Sequence, residues 1–209
     1  MIKNRAFLKW AGGKYSLVED INKLLPKQSR LVEPFLGAGS IFLNSDFDEY
    51  LLNDVNTDLI NLYQLLQRNP EEYITESRKL FTEEYNDPDR YYDIRAQFNQ
   101  TQDPIKRSIL FLYMNRHGYN GLCRYNLKGG YNVPFGRYKK PYFPENELWY
   151  FAEKSQKATF TNNCFRETFA LAKEGDVVYC DPPYAPLSPT ASFTSYSGQG
   201  FKLRDQEEL

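Results

Sequence analysis

Histidine occurs once in this sequence, at His117, and cysteine three times, at Cys123, Cys164 and Cys180. No two cysteines form a CxxC pair, and none stands at metal-ligand spacing from the histidine. That excludes a zinc site of the usual ligands, so no metal is expected. Unpaired cysteines also argue for a reducing compartment, and a cytoplasmic location is expected. Long apolar runs are missing: none approaches the roughly 20 residues that cross a bilayer, so no membrane partner is expected. Met1-Ile2-Lys3-Asn4-Arg5 is followed by no apolar stretch long enough for a secretory signal. Internal repeats and low-complexity segments are absent as well. Net charge is almost absent, at −1 from 26 basic and 27 acidic residues, and so says nothing about partners.

The distribution of that charge says more. From Pro104 to Pro144 there are eight Lys and Arg and no Asp or Glu. A basic stretch on an otherwise acidic chain is the footprint of a localised anion-binding face. With 209 residues the chain can bury a core as one domain, or as one domain with an insertion.

Three acids stand where a strand pattern ends. Val177-Val178-Tyr179-Cys180 reads as a short buried strand, and Asp181-Pro182-Pro183-Tyr184 follows it. Ligands of open α/β sheets bind at such carboxyl ends. Asp181 is held extended by the next proline, and the two prolines offer carbonyls without N–H donors. An acceptor-rich turn with a flat ring suits an amino group on an aromatic base. The Asp181 carboxylate and the Pro182 carbonyl can each accept one N–H, drawing the nitrogen toward tetrahedral geometry and freeing its lone pair. Tyr184 can stack on the base, a contact of roughly 1–3 kcal/mol.

The second acid is Glu33, in Leu31-Val32-Glu33-Pro34-Phe35-Leu36-Gly37-Ala38-Gly39-Ser40, a strand, glycine turn and helix start. The third glycine of a dinucleotide fingerprint is absent, and Glu33 would repel a pyrophosphate. It would attract a cation, which fits S-adenosylmethionine, with its positive sulfonium and ammonium, better than NAD. The third acid is Asp54, after the strand Tyr50-Leu51-Leu52. It is placed for ribose hydroxyls, while Asp54 or Asn56 can also cap the helix beginning at Asp58. Earlier, Trp10-Ala11-Gly12-Gly13-Lys14 superficially suggests a phosphate loop. It lacks the upstream glycine, however, and has Tyr15 where Ser or Thr belongs.

A helix is expected after Lys14, with Leu17, Ile21 and Leu24 on one face. Residues 58–117 read as helices with apolar stripes at Leu59, Leu62, Leu65 and Leu66, then Tyr73, Ser77 and Leu80. Further stripes fall at Tyr92, Arg95 and Phe98, and in a last helix opened by Asp103-Pro104. From His117 to Tyr142 the pattern becomes a glycine-rich hairpin with Arg, Lys, Asn and Tyr interleaved, side chains with phosphate-contacting and base-edge capacity. A helix from Pro144–Glu145, a strand Ala158–Thr161, a helix around Phe165–Ala172 and a polar loop Ser188–Gly200 over the site are expected. The residues Lys202 to Leu209 read as a helix start.

Taken together and in this order, the Trp10–Lys14, Glu33–Ser40, Asn115–Asn126 and Asp181–Tyr184 motifs make the whole chain resemble DNA adenine-N6 methyltransferases of the Dam type. The resemblance implies a Rossmann-like α/β methyltransferase sheet with an inserted, mostly helical target-recognition domain carrying a β-hairpin. The implied division is 1–55 core, 56–143 target recognition and 144–209 core. It implies methyl transfer from S-adenosylmethionine to adenine N6 in duplex DNA, at GATC, by base flipping and direct attack of the amine. Catalysis would fall to Asp181, Pro182 and Tyr184. Cofactor contacts would come from Trp10, Lys14, Phe35, Gly37, Gly39, Ser40, Asp54 and Asp181. DNA contacts would come from Lys9, Arg116, Tyr119, Asn120, Leu122, Arg124, Asn126, Asn132, Pro134, Arg137, Tyr138 and Lys139. No covalent intermediate is implied, in keeping with the lack of a positioned Cys or His nucleophile, and a monomer is expected.

The family continues past the DPPY turn, so the chain is expected to lack a C-terminal part and, expressed alone, to be poorly soluble and inactive. Two other readings stay open. One is a methyltransferase acting on RNA or on a protein amide, where Asn in place of Asp181 would be more typical of the amide enzymes. The other is a non-catalytic DNA-binding remnant.

Overall fold

The computed structural model describes residues 3–183, 201 and 203–209. Tyr184 and the Ser188–Gly200 loop, both singled out above, lie outside the described residues. Among the described residues, four strands form one parallel sheet in the order β3-β2-β1-β4: β1 Arg30–Glu33, β2 Glu49–Asn53, β3 Ala158–Thr161 and β4 Val177–Val178. Register is set through β1, where Leu31 lies between Tyr50 and Val177. Parallel neighbours need crossovers. α1 (Val18–Leu24) precedes the sheet, the link from β1 to β2 is α2 (Ser40–Asn44), and that from β3 to β4 is α8 (Phe165–Ala170).

The link from β2 to β3 is far longer. It contains α3 (Thr57–Arg68), α4 (Pro70–Arg78), α5 (Pro88–Gln100), α6 (Pro104–His117) and α7 (Glu145–Lys154), with the basic segment between the last two. Its caps follow from sequence. Asp87 and Asp103 each accept two backbone N–H groups ahead of a proline at the first helical position. Asn56 caps α3 by accepting from Leu59 N, and Asp54 points elsewhere, so the two share the alternatives left open at that turn.

The core is aromatic. Tyr63 stacks on Phe151 at 4.6 Å between centroids, with Phe7, Phe42 and Phe160 packed around them. α3 packs against both α6 and α7 and so belongs to the sheet side and the inserted side alike.

Four expectations change. α1 turns Val18 into the core, while Leu17 and Leu24, expected on one apolar face with Ile21, are exposed. The buried face of α5 is Tyr91, Ile94 and Phe98, while Tyr92 is exposed. The deciding contact is Tyr91 Oη donating to Val133 O, 42 residues away, which local periodicity does not reveal. The basic hairpin has no continuous ladder. It is pinned by two antiparallel bridges, Gly118 with Phe135 and Tyr125 with Tyr131. Pro134 lacks a donor, and Gly121 and Gly129 at positive φ break the pleat. Finally, β4 spans two residues rather than four and lies at the sheet edge among the described residues, with Val178 39% exposed.

Candidate active site

Strand order reverses beside β1. From β1 the chain moves to β2 and β3 on one side, then returns to place β4 on the other. A crevice opens at the carboxyl ends of strands at such a switch. There a cavity of about 300 Å³ is walled by the 10–14 turn, the residues after β1, β2 and β3, and Asp181 to Pro183. Phe201 and Asp205 complete it. Every cofactor residue expected from sequence reaches this wall except Gly39, which lies one residue behind it.

The glycine turn is tight. Gly37 has φ +52°, and a Cβ there would sit 2.9 Å from Trp10 Nε1. Gly39, at φ +72°, precedes the first helical residue of α2, Ser40. Asp54 Oδ2 accepts from Gly37 N and Oδ1 from Asn56 N, both at 2.9 Å. These bonds hold Asp54 across the turn, and each oxygen keeps a second lone pair for a ligand hydroxyl. Burial raises its carboxyl above the ordinary range, with the two N–H groups opposing.

Glu33, 2% exposed, belongs to the cavity wall and carries a buried Oε1 without a hydrogen-bond partner. Burial pushes its carboxyl up to about 8; a Phe42 backbone N–H opposes this, and the charge of Asp181 adds to it. Lys14, which as a lone residue reads as a surface lysine, instead donates from Nζ to Asp181 Oδ2 at 2.5 Å and to Gly12 O at 2.9 Å. Among the described residues, Asp181 Oδ1 has no hydrogen-bond partner. The cavity is thus rich in carboxylates. Among the described residues its other cation, Arg166, pairs with Asp205 and Glu208. A site of this composition fits a cationic ligand and opposes a pyrophosphate.

Sequence reasoning named Phe35 but missed the other two rings of the apolar wall. Phe35, Phe165 and Phe201 cluster with centroids 5.7 to 6.0 Å apart. The signal for Phe165 was its place just beyond β3, at the same carboxyl edge as the three acids.

The residues expected at DNA divide by placement. Tyr119, Asn120, Arg124, Asn126, Pro134, Arg137 and Lys139 are exposed, while Leu122, Asn132, Tyr138 and Lys9 are half-buried. Arg124 donates to Asn132 Oδ1 at 2.8 Å and to Asn132 O at 3.0 Å, so Asn132 aims the guanidinium. The Asn126 side chain closes the 126–130 turn by accepting from Lys128 N and Gly130 N. Lys9 Nζ lies 3.7 Å from the centre of the Tyr138 ring. Arg116 differs from the rest: it is 9% exposed, and its guanidinium donates to Tyr142 O and Phe7 O. Burial lowers its pKa.

The single histidine is internal. His117 stacks on Tyr113 at 4.0 Å between centroids, and burial lowers its imidazole pKa to about 4. Burial also pushes the Cys123 thiol well up and that of Cys180 to about 11. Neither thiol is ionised at neutral pH. Among the described residues no His, Cys, Asp and Glu cluster could hold a metal ion, and no helix is long and apolar enough to cross a membrane.

The sequence profile of the D12 class N6 adenine-specific DNA methyltransferases matches residues 10–209. A DNA adenine methylase of Vibrio cholerae is 64% identical over 209 residues, which is all of this chain and 76% of that protein. DNA adenine methylases of Serratia marcescens and Escherichia coli are each 58% identical over the whole chain, which covers 77% and 75% of their lengths.

Proposed function

The chain belongs to the D12 class of N6 adenine-specific DNA methyltransferases, and from that premise we propose that its methyl donor is S-adenosylmethionine and its target the adenine of GATC in duplex DNA. The observation that carries the reading is the site at the sheet's switch point. There Asp181 stands in one cavity with the unpartnered oxygen of Glu33 and the glycine turn. The bound donor supplies an electrophilic methyl group on positively charged sulfur.

The protein's part is binding, orientation and electrostatics. Glu33 gives up its proton to offer negative charge to a cationic ligand, Asp54 accepts from ribose hydroxyls, and Trp10 and Phe35 exclude water. Lys14 holds Asp181 by one oxygen. Oδ1 of Asp181 and the carbonyl of Pro182 each accept an N–H of the adenine amine, which pulls its lone pair out of the ring and toward the methyl group. The carboxylate at that nitrogen then takes the proton the amine loses.

A paired base cannot reach such a cavity, so the adenine is turned out of the duplex. Tyr184, outside the described residues, follows the turn directly and is the ring expected to stack on it. Transfer is direct attack of the amine on the methyl group, without a covalent enzyme intermediate. The exposed basic segment faces the duplex, with Arg124 set to read a guanine edge.

The test is labelled methyl transfer to duplex oligonucleotides with and without GATC. Label should enter only the GATC duplex. Asp181→Ala should lose at least about a hundredfold in turnover. Equal labelling of both duplexes would overturn the target, and near-normal turnover of the Ala variant would overturn the mechanism.

A further inference from the structure

Asn115, on the last turn of α6, is 1% exposed, and its amide joins two segments distant in sequence. Its Oδ1 accepts from Lys9 N at 2.8 Å. Its Nδ2 donates to Lys9 O at 2.7 Å and to Gly121 O at 3.3 Å. Both main-chain polar groups of Lys9 are therefore held by one side chain, as a neighbouring strand would hold them. Gly121, at φ +61°, presses on the same residue: a Cβ there would lie 2.1 Å from Lys9 Cβ. The Lys9 stem is thus confined between the Gly121 turn and the Tyr138 ring beneath its ammonium.

We propose that Asn115 is a positioning residue for DNA recognition, setting Lys9 into the recognition surface beside the 119–122 turn. This rests on the reading of Lys9 as a duplex contact. The residue type follows from the bonding. Aspartate could accept from Lys9 N but could not donate to the two carbonyls, and it would bury a charge. Leucine, close in shape, would leave one N–H and two carbonyls without partners. Lys9 also directly precedes Trp10 of the cavity wall, so Asn115 fixes the point where that wall meets the recognition surface.

Equilibrium binding of a GATC duplex at fixed salt tests this. The set comprises the full 209-residue chain, Lys9→Ala, Asn115→Ala, Lys139→Ala and the two doubles that contain Asn115→Ala. Each protein is first shown to melt cooperatively. Lys9→Ala and Asn115→Ala should each weaken binding by about tenfold, equivalent to ~1.4 kcal/mol. Their double should be no weaker than the weaker single, because one contact is lost once. The double with Lys139→Ala should lose the product of its singles.

Multiplying losses in the Lys9 double would overturn the proposal while leaving Lys9 as a contact. A Lys9→Ala protein that binds as tightly as the parent would overturn that reading of Lys9 and the proposal with it. Gly121→Ala serves if Asn115→Ala does not fold. It displaces Lys9 from the other side and should show the same non-additivity with Lys9→Ala; additivity would count against the proposal.

Discussion

At the scale of single residues, Glu33 sets burial against chemistry. Its carboxyl is raised to about 8 from 4.5 by burial, with Asp181 adding to the effect. Below about 4.5 folded and unfolded chains both hold the proton. Between there and about 8 the unfolded chain has lost it while the folded chain keeps it, so this group's contribution to stability falls as pH rises across that window. Glu33→Gln cannot ionise and should melt above the parent, with a gap that widens from pH 5 to pH 8. A gap independent of pH would show that Glu33 ionises freely in the folded chain. A cationic donor reverses the balance by favouring the carboxylate. Calorimetric titration with S-adenosylmethionine near pH 7, in two buffers of different ionisation enthalpy, should therefore report proton release by the parent and less by Glu33→Gln. Glu33 was legible as an acid at a strand end. Its raised pKa was not, because burial comes from neighbours folded over it.

At the scale of elements, α3 ties the sheet to the inserted segment through its first turn. Asp58 is held by both arms of Arg107 on α6, with Nη2 to Oδ2 at 2.9 Å, and it accepts from Tyr125 Oη at 2.6 Å. Arg107 also donates to Phe98 O and lies 4.1 Å over that ring. The Asp58 side chain is 10% exposed. Removing one partner of such a pair leaves the other charge uncompensated, at a cost of about 3–5 kcal/mol. Arg107→Ala should lose that much in urea unfolding, whereas Asp58→Leu combined with Arg107→Met should lose much less. Equal losses would show that the pair is already solvated. Helix starts were readable where a cap and a proline stand together, as at Asp103-Pro104. This network was not, because Asp58, Arg107 and Tyr125 are 49 and 67 positions apart and only the packing of α3 on α6 joins them.

At the scale of the whole molecule, charge was legible as a run but not as a surface. Of the eight cations between Pro104 and Pro144, Arg107 is paired inside and Arg116 is buried. Arg124, Lys128, Arg137, Lys139 and Lys140 are exposed along the hairpin, and Lys106 is exposed on the first turn of α6. A sequence count cannot make that division, because Arg107 and Arg116 lie on α6 and turn inward with its packing. It governs how binding responds to salt: each phosphate neutralised contributes about 0.9 to the slope of log affinity against log salt concentration. Lys139→Ala should therefore lower the slope by nearly one and weaken GATC and non-GATC duplexes alike. Arg124→Ala, with its fork aimed by Asn132, should instead narrow the gap between those duplexes, since a bidentate base contact discriminates by roughly 1–3 kcal/mol. Arg116→Met should leave the slope where it was and lower the melting temperature, because its guanidinium joins Tyr142 to Phe7 rather than facing outward. Duplex affinities across a salt series decide each case. A slope that falls in Arg116→Met as far as in Lys139→Ala would mean that the buried arginine swings out to a phosphate when DNA binds.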